Sequence, residues 1–129
     1  MKEEEREAII KYSYLQAKLE TLLKEREEIL ERIEETEGTI SSLNGIKKNI
    51  ETFFSLGSGV YCKGEVTEEN FLVNIGAKVF LELSKDGVID ILKRRIDALR
   101  KAINEIEDEI ENIVSQQKKL EDIIRRVSK

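Results

Sequence analysis

Residues 53–83 read FFSLGSGVYCKGEVTEENFLVNIGAKVFLEL, and this stretch decides the fold that the sequence predicts. Apolar and polar residues alternate along its short runs, and a period of two is typical of half-buried β-strands. Turns with glycine at 56–59 and 76–77 separate the strands within each hairpin, because tight turns need the positive φ that glycine adopts freely, and a third turn at 67–70 separates the hairpins. The pattern predicts four strands, paired as two β-hairpins, at about 52–56, 58–66, 71–75 and 78–83.

A heptad pattern lies on both sides of the strands. Apolar residues recur alternately four and three positions apart from Ala8 to Ile50, interrupted only by Arg26, Thr36 and Lys47. The pattern resumes from Ile89 to Val127, where only Gln117 is polar. A seam of this period predicts two helices that coil around each other. Equal helices joined by a short segment are expected to fold back antiparallel, so that the two termini meet at one tip.

The helices are expected at about 3–48 and 85–128, with Ser84 as the N-cap of the second. At about 1.5 Å of rise per residue, each helix is on the order of 65 to 70 Å long. The predicted fold class is α+β and mainly helical: a long antiparallel coiled-coil hairpin with two β-hairpins between its helices. Residues 1–129 are expected to form a single domain.

The composition argues against several classes of function. With 22 basic and 27 acidic residues, the chain has a formal net charge of -5 and no basic face for nucleic acid. It has one cysteine and no histidine, so neither an internal disulfide nor a zinc site is expected. We also expect no cofactor.

No residue pattern indicates an enzyme. Gly57-Ser58-Gly59 lacks the Gly-Lys-Ser/Thr that completes a phosphate-binding loop, so it is interpreted as a turn. The acidic N-terminal residues differ from the apolar core of a signal peptide, and no apolar run approaches the ~18 residues of a membrane span. The expectation is a cytoplasmic protein that is neither secreted nor membrane-embedded.

The predicted hairpins leave strand edges and apolar faces that the ends of two helices cannot cover. Such edges are normally paired by other chains, so the sequence predicts oligomerisation through this segment. Cys62 is interpreted as a small buried apolar residue of its strand rather than as a reactive thiol. The residues expected to mediate oligomerisation are Phe54, Val60, Cys62, Val66, Phe71, Val73, Ile75, Val79 and Leu81.

Two segments of the middle region carry a resemblance to a known family. They are LGSGVYCKGEV at 56–66 and FLVNIGAKVFLE at 71–82, followed by a helix that opens near Asp86. In this order and spacing, between two equal helices, the chain resembles the alpha-type subunit of archaeal prefoldin. Two hairpins rather than one favour the alpha type over the beta type.

The resemblance implies an assembly and a function. It implies a hexamer of two alpha and four beta subunits, whose hairpins form a double β-barrel platform that carries six coiled coils. It also implies a chaperone that works without ATP, holds unfolded proteins at the tips of the coiled coils and delivers them to a group II chaperonin. The alternative, from a different class, is a structural paralogue that self-associates through its strands into a homo-oligomer or filament.

Binding of unfolded proteins needs apolar side chains that the seam does not use, or that lie where the helix ends fray. Scattered exposed apolar residues are also normal at the ends of coiled coils, so both interpretations stay open. Leu23 and Leu30 are interpreted as broadening the packing between the helices. Gln117 either fixes the register of the coil or is tolerated near its end. The candidate client-binding residues are Ile9, Ile10, Tyr12, Tyr14, Leu15, Ile123, Ile124 and Val127.

Overall fold

The computed structural model describes residues 2–128, so Met1 and Lys129 of the predicted domain lie outside the described residues. The predicted order of helix, two hairpins and helix is confirmed. The second helix begins where the sequence predicts, because Ser84 Oγ accepts a hydrogen bond from the Gly87 N–H at 3.3 Å. The elements are α1 Glu3–Gly45, β1 Glu51–Gly57, β2 Val60–Glu65, β3 Asn70–Gly76, β4 Val79–Ser84 and α2 Lys85–Ser128.

The first helix is shorter than predicted, because it ends at Gly45 rather than near residue 48. Beyond Gly45 the backbone turns toward the hairpins. The Lys48 N–H donates to Glu69 Oε1 at 3.2 Å, and the Asn49 N–H donates to the Val66 carbonyl at 2.8 Å. These donors are therefore satisfied by the hairpin region instead of by the helix.

The two hairpins are built in the same way. β1 pairs antiparallel with β2, and β3 pairs antiparallel with β4, as two separate two-stranded sheets. In each hairpin a side chain two residues before a glycine accepts that glycine's N–H: Ser55 Oγ from Gly57 at 3.3 Å, and Asn74 Oδ1 from Gly76 at 2.8 Å. Gly57 and Gly76 have φ of 96° and 121°, so glycine is the residue best suited to both positions.

The second strand also begins later than predicted. Ser58 and Gly59 form the turn, with φ of 53° and 77°, and the strand starts at Val60. Val66 lies beyond its end and forms an isolated bridge with Lys48. The predicted strand 58–66 is therefore two residues too long at its start and one too long at its end.

Contacts between residues divide the chain into two compact units. Unit 1 comprises Met1–Ile33 with Ala98–Lys129, and unit 2 comprises Glu34–Asp97. The single domain that the sequence predicts stays a prediction. Each unit has its own apolar core.

In unit 1 the two helical segments run antiparallel, since Glu4 lies near Arg126 whereas Arg26 lies near Glu107. Its core is a set of buried seam residues: Ala8, Leu15, Leu22, Ile113 and Leu120. In unit 2 one face of the β3–β4 hairpin packs on both helices. Its core contains Leu43 of α1, Val73 of β3, and Val88 and Leu92 of α2.

Candidate binding surfaces

The first candidate surface is the terminal end of unit 1, formed by residues 3–15 of α1 and 118–128 of α2. Among the candidate client-binding residues, Ile10 and Tyr14 are the most open, with 63% and 66% of their surface exposed. Leu15 is only 6% exposed and belongs to the core of unit 1. Its side chain would reach a client only if this end frayed.

The other candidate residues at this end are half-buried. They lie along the edges of the seam, and three of them, Tyr12, Ile123 and Ile124, pack against the core cluster of unit 1. Ile9 and Val127 are also partly covered. The structure thus brings the candidate residues to one end of unit 1, where only Ile10 and Tyr14 of the eight are exposed.

A hydrogen bond between side chains links the two helices beside the seam at the terminal end. The Tyr12 hydroxyl donates to Glu121 Oε1 at 3.1 Å. This hydrogen bond to a carboxylate raises the pKa of Tyr12 above its ordinary value, because loss of the proton would remove the donor and leave two anions side by side. Tyr12 is therefore tied to α2 and is less available than Tyr14.

A small cleft lies between the two helices at the same end. Its volume is about 200 Å³, and its lining combines Ala8, Leu120 and Ile123 with Glu4, Glu7 and Lys11. Small-molecule sites usually measure about 300–1,000 Å³, so this cleft is small for a cofactor. Ala8, Leu120 and Ile123 can contact a single apolar side chain there.

Deeper in unit 1, a polar pair interrupts the apolar seam. Gln117 is 6% exposed, and its Nε2 donates to Gln16 Oε1 at 2.9 Å. Leu15 and Leu120, both buried, lie close by in the two helices. A shift of one helix along the other would separate the two amides and leave the buried Gln117 amide without this partner, so the pair favours one register.

Gln16→Leu is therefore expected to lower the free energy of unfolding by about 1–3 kcal/mol, the cost of leaving a buried amide without a partner. The double variant Gln16→Leu/Gln117→Leu is expected to recover most of that loss, because it removes both polar groups. Urea unfolding followed by far-UV circular dichroism measures both values. Gln117→Leu alone completes the double-mutant cycle, and losses that simply add in the double variant would show that the pair is uncoupled.

The second candidate surface is formed by the β3–β4 hairpin of unit 2. Val73 is 7% exposed and Phe71 is half-buried, so the helices of the same chain already cover these two predicted oligomerisation residues. Ile75, Val79 and Leu81 lie on the same face of the hairpin and are exposed. Their role in oligomerisation stays a prediction.

The opposite face of this hairpin carries apolar residues that sequence reasoning missed. Leu72 and Phe80 are 70% and 55% exposed and point away from the helices. The signal was available, since both faces of β3 and β4 contain large apolar residues. A hairpin with large apolar residues on both faces suits burial between a chain's own helices and a partner chain.

Most residues of the β1–β2 hairpin are exposed, and only Phe54 and Gly64 of the two strands are half-buried. Phe53, Leu56, Val60 and Tyr61 are all more than half exposed. Cys62, which the sequence predicts as buried, is an exposed free thiol, because within residues 2–128 no element covers this face. Phe54 lies directly opposite Cys62 in the strand pair.

A groove lies between the C-terminal end of α1 and the β1–β2 hairpin. It has a volume of about 440 Å³, and its lining contains no charged residue. The lining residues are Ser42, Gly45, Ile46, Thr52, Phe53, Phe54, Ser55 and Tyr61. In the described part of the chain, both hairpins therefore combine unpaired strand edges with exposed apolar side chains.

The described residues hold no group of three or more cysteine, aspartate or glutamate side chains placed to bind a metal ion. Within residues 2–128, neither α1 nor α2 contains a stretch apolar enough to span a bilayer.

Comparison with known proteins adds a family match. The family model described as prefoldin subunit matches residues 15–129. The chain is 29% identical to prefoldin subunit alpha of Thermoplasma acidophilum over 85 residues, which is 64% of this chain and 65% of that protein. It is 26% identical to prefoldin subunit alpha of Thermofilum pendens over 118 residues, which is 88% of this chain and 92% of that protein.

A third relative is prefoldin subunit alpha 1 of Methanocaldococcus jannaschii, 30% identical over 67 residues. The matched region spans 52% of this chain and 47% of that relative, so the chain covers less than two thirds of two of these three proteins. Among solved structures, filamentous PFD from Methanocaldococcus jannaschii has the same fold, with a TM-score of 0.53 and 19% identity. That alignment covers 97% of this chain and 98% of the other.

Proposed function

Because the chain belongs to the prefoldin family, we propose that it is a subunit of a chaperone that holds unfolded proteins without using ATP. The family match and the archaeal relatives confirm the resemblance to the alpha-type subunit of archaeal prefoldin. The proposed holding site is the terminal end of unit 1.

The observation that carries this proposal is the exposure of Ile10 and Tyr14. Large apolar side chains that are exposed to solvent can bind the apolar segments that an unfolded protein exposes. Between the helices beside them, the cleft lined by Ala8, Leu120 and Ile123 offers room for a client side chain. Contacts of this kind are weak and reversible, so a client can be released without a nucleotide.

Members of this family assemble with other prefoldin subunits. For this chain we propose the assembly that the resemblance implies: two alpha and four beta subunits joined through their hairpins, with transfer of clients to a group II chaperonin. The exposed faces and edges of the two hairpins support this part of the proposal. Several subunits holding one client would increase its overall affinity by avidity.

The protein assembled with a beta-type prefoldin subunit is expected to suppress the light scattering of a chemically denatured client after dilution from denaturant. The suppression is expected to be equal with and without ATP, because the proposed contacts involve no nucleotide. The beta-type subunit alone and an inert protein at equal mass serve as controls. Equal scattering with and without the assembly, at stoichiometric excess, would contradict the proposal.

The second candidate function is that of a structural protein which self-associates through its hairpins into a homo-oligomer or filament. Its support is the pair of similar hairpins with open edges, together with the shared fold of a protein described as filamentous. Electron microscopy of the purified chain, with and without a beta-type subunit, separates the two candidates. Discrete six-armed particles support the chaperone, and extended polymers formed by the single chain support the structural protein.

A further inference from the structure

The core of unit 2 holds the two hairpins unequally. It contains Phe71 and Val73 of β3 and Leu83 of β4 but, within the described residues, none from β1 or β2. On the side that faces α1, the β1–β2 hairpin borders the groove of about 440 Å³ rather than a packed surface. Burial of apolar side chains therefore fixes mainly the β3–β4 hairpin, and the direction of the β1–β2 hairpin depends on other contacts.

The two strands of the β1–β2 hairpin are tied together at their base. The Asn49 N–H donates to the Val66 carbonyl at 2.8 Å, and Lys48 and Val66 form an isolated bridge. Asn49 lies two residues before the start of β1, and Val66 directly follows the end of β2. The hairpin therefore leaves this point as one body, and whatever holds residues 48, 49 and 66 also sets its direction.

The side chain of Lys85 reaches this point from the start of α2. Its Nζ donates to the Ile46 carbonyl, just beyond the end of α1, and lies 3.9 Å from Glu69 Oε1. The same carboxylate oxygen accepts the Lys48 N–H at 3.2 Å. We name these four residues, Ile46, Lys48, Glu69 and Lys85, the junction. It joins the end of α1, the turn between the two hairpins and the start of α2.

The position of Lys85 runs against the local preference of its helix. Lys85 is the first residue of α2, where the helix dipole disfavours a positive charge. The last turn of α1 has no basic residue, although a positive charge is favourable at that end of a helix, and the Lys85 ammonium supplies one from α2. Only 21% of the Lys85 side chain is exposed, so the ammonium relies on the acceptors of the junction in place of water.

We propose that Lys85 is a positioning residue for assembly, whose ammonium fixes the direction in which the β1–β2 hairpin leaves unit 2. The proposal rests on the proposed assembly through the hairpins and specifies the residue that prepares this chain for it. A hairpin already held in one direction loses little conformational freedom when it meets a partner, whereas a mobile hairpin loses more. Without the Lys85 ammonium, the same exposed strands would remain but would associate more weakly.

Hydrogen exchange of the full-length chain, followed by NMR, measures the junction directly. Lys85→Met keeps an unbranched side chain but removes its charge and its donors. The Lys48 and Asn49 N–H groups are expected to exchange at least about fivefold faster in this variant, because their acceptors are held less firmly. The Val73 N–H, in the core of the same unit, is expected to exchange at its wild-type rate. Unchanged exchange at Lys48 and Asn49 would overturn the proposal.

Three further variants separate the charge at position 85 from general effects. Lys85→Arg keeps a positive charge and is expected to restore most of the protection. Lys93→Met, the same substitution at an exposed lysine of α2 in unit 2, is the matched control and is expected to leave exchange unchanged. Glu69→Gln keeps an oxygen for the Lys48 N–H but removes the charge that faces Lys85. If Lys85→Met loses its helical circular dichroism, Glu69→Gln decides, with an expected acceleration of about twofold or more at Lys48.

Assembly has its own readout, sedimentation velocity with a beta-type subunit. Lys85→Met is expected to raise the concentration needed for half-assembly at least about tenfold, whereas Lys85→Arg and Lys93→Met are expected to assemble like the wild type. Faster exchange with normal assembly would overturn the positioning role. Faster exchange in Lys85→Met, combined with a wild-type chain that does not assemble, would contradict the proposed assembly and still support control of the hairpin by Lys85.

Discussion

The double variant Ile10→Ser/Tyr14→Ser, assembled with a beta-type subunit, is expected to lose most of its ability to suppress aggregation. These are the two most exposed large apolar side chains at the terminal end of unit 1. Burying one such side chain in a contact contributes about 1.5–3 kcal/mol. Removing two from each subunit corresponds to about 3–6 kcal/mol, so the concentration needed for half-suppression is expected to rise at least about 100-fold.

The control for this variant is Leu23→Ser/Leu30→Ser, which also removes two exposed large apolar residues from α1, 47% and 41% exposed, outside the terminal end. It is expected to retain suppression. Ile123 and Ile124 are poorer targets, since they pack against the core of unit 1 and their loss would also loosen the coil. If both double variants suppressed aggregation equally, with sedimentation showing intact assemblies, the assignment of the client site would be wrong.

The second large effect is expected at the hairpins. Val60→Glu/Val79→Glu is expected to prevent assembly with other subunits, because Val60 and Val79 are about half exposed in this chain and are predicted to be buried against a partner. Burying an unpaired carboxylate costs several kcal/mol, so the association is expected to weaken by about a thousandfold or more. Sedimentation velocity would show a small species in place of the large one.

The matched control places acids in the adjoining turns instead of on the strands. Ser58→Asp/Lys78→Asp adds even more negative charge, and both positions have positive φ, which aspartate tolerates better than most residues. This variant is expected to assemble normally. Dissociation of both variants would indicate general charge repulsion, and normal assembly of the valine variant would contradict burial of the strands between subunits.

The sequence predicted the elements well because each has a strong period. The seam from Ile89 to Val127 predicted the extent of α2, and the start of that helix is set locally by the Ser84 cap. The end of α1 was less predictable. The apolar pattern continues to Ile50, but the helix stops at Gly45 because Lys48 and Asn49 donate to residues of the hairpin region.

The candidate surfaces were predictable only in part. The residues of the terminal end were found from their position near the helix ends, but the sequence did not separate the open Tyr14 from Tyr12, which Glu121 holds. Leu72 and Phe80 were missed because the alternating pattern was interpreted as apolar on one face only. The partner of Gln117 could not be named, since Gln16 lies 101 residues away and only the register brings the two amides together.

By itself, the sequence determined the order of helices and hairpins and the resemblance to prefoldin, because periodicity and turn residues act over short distances along the chain. Only the tertiary structure decided which apolar residues remain exposed and can contact another molecule. Leu15 and Val73 are buried, whereas Ile10, Leu72 and Phe80 are open. Periodicity places a residue on a face of its element, but whether that face is covered depends on which other element packs against it.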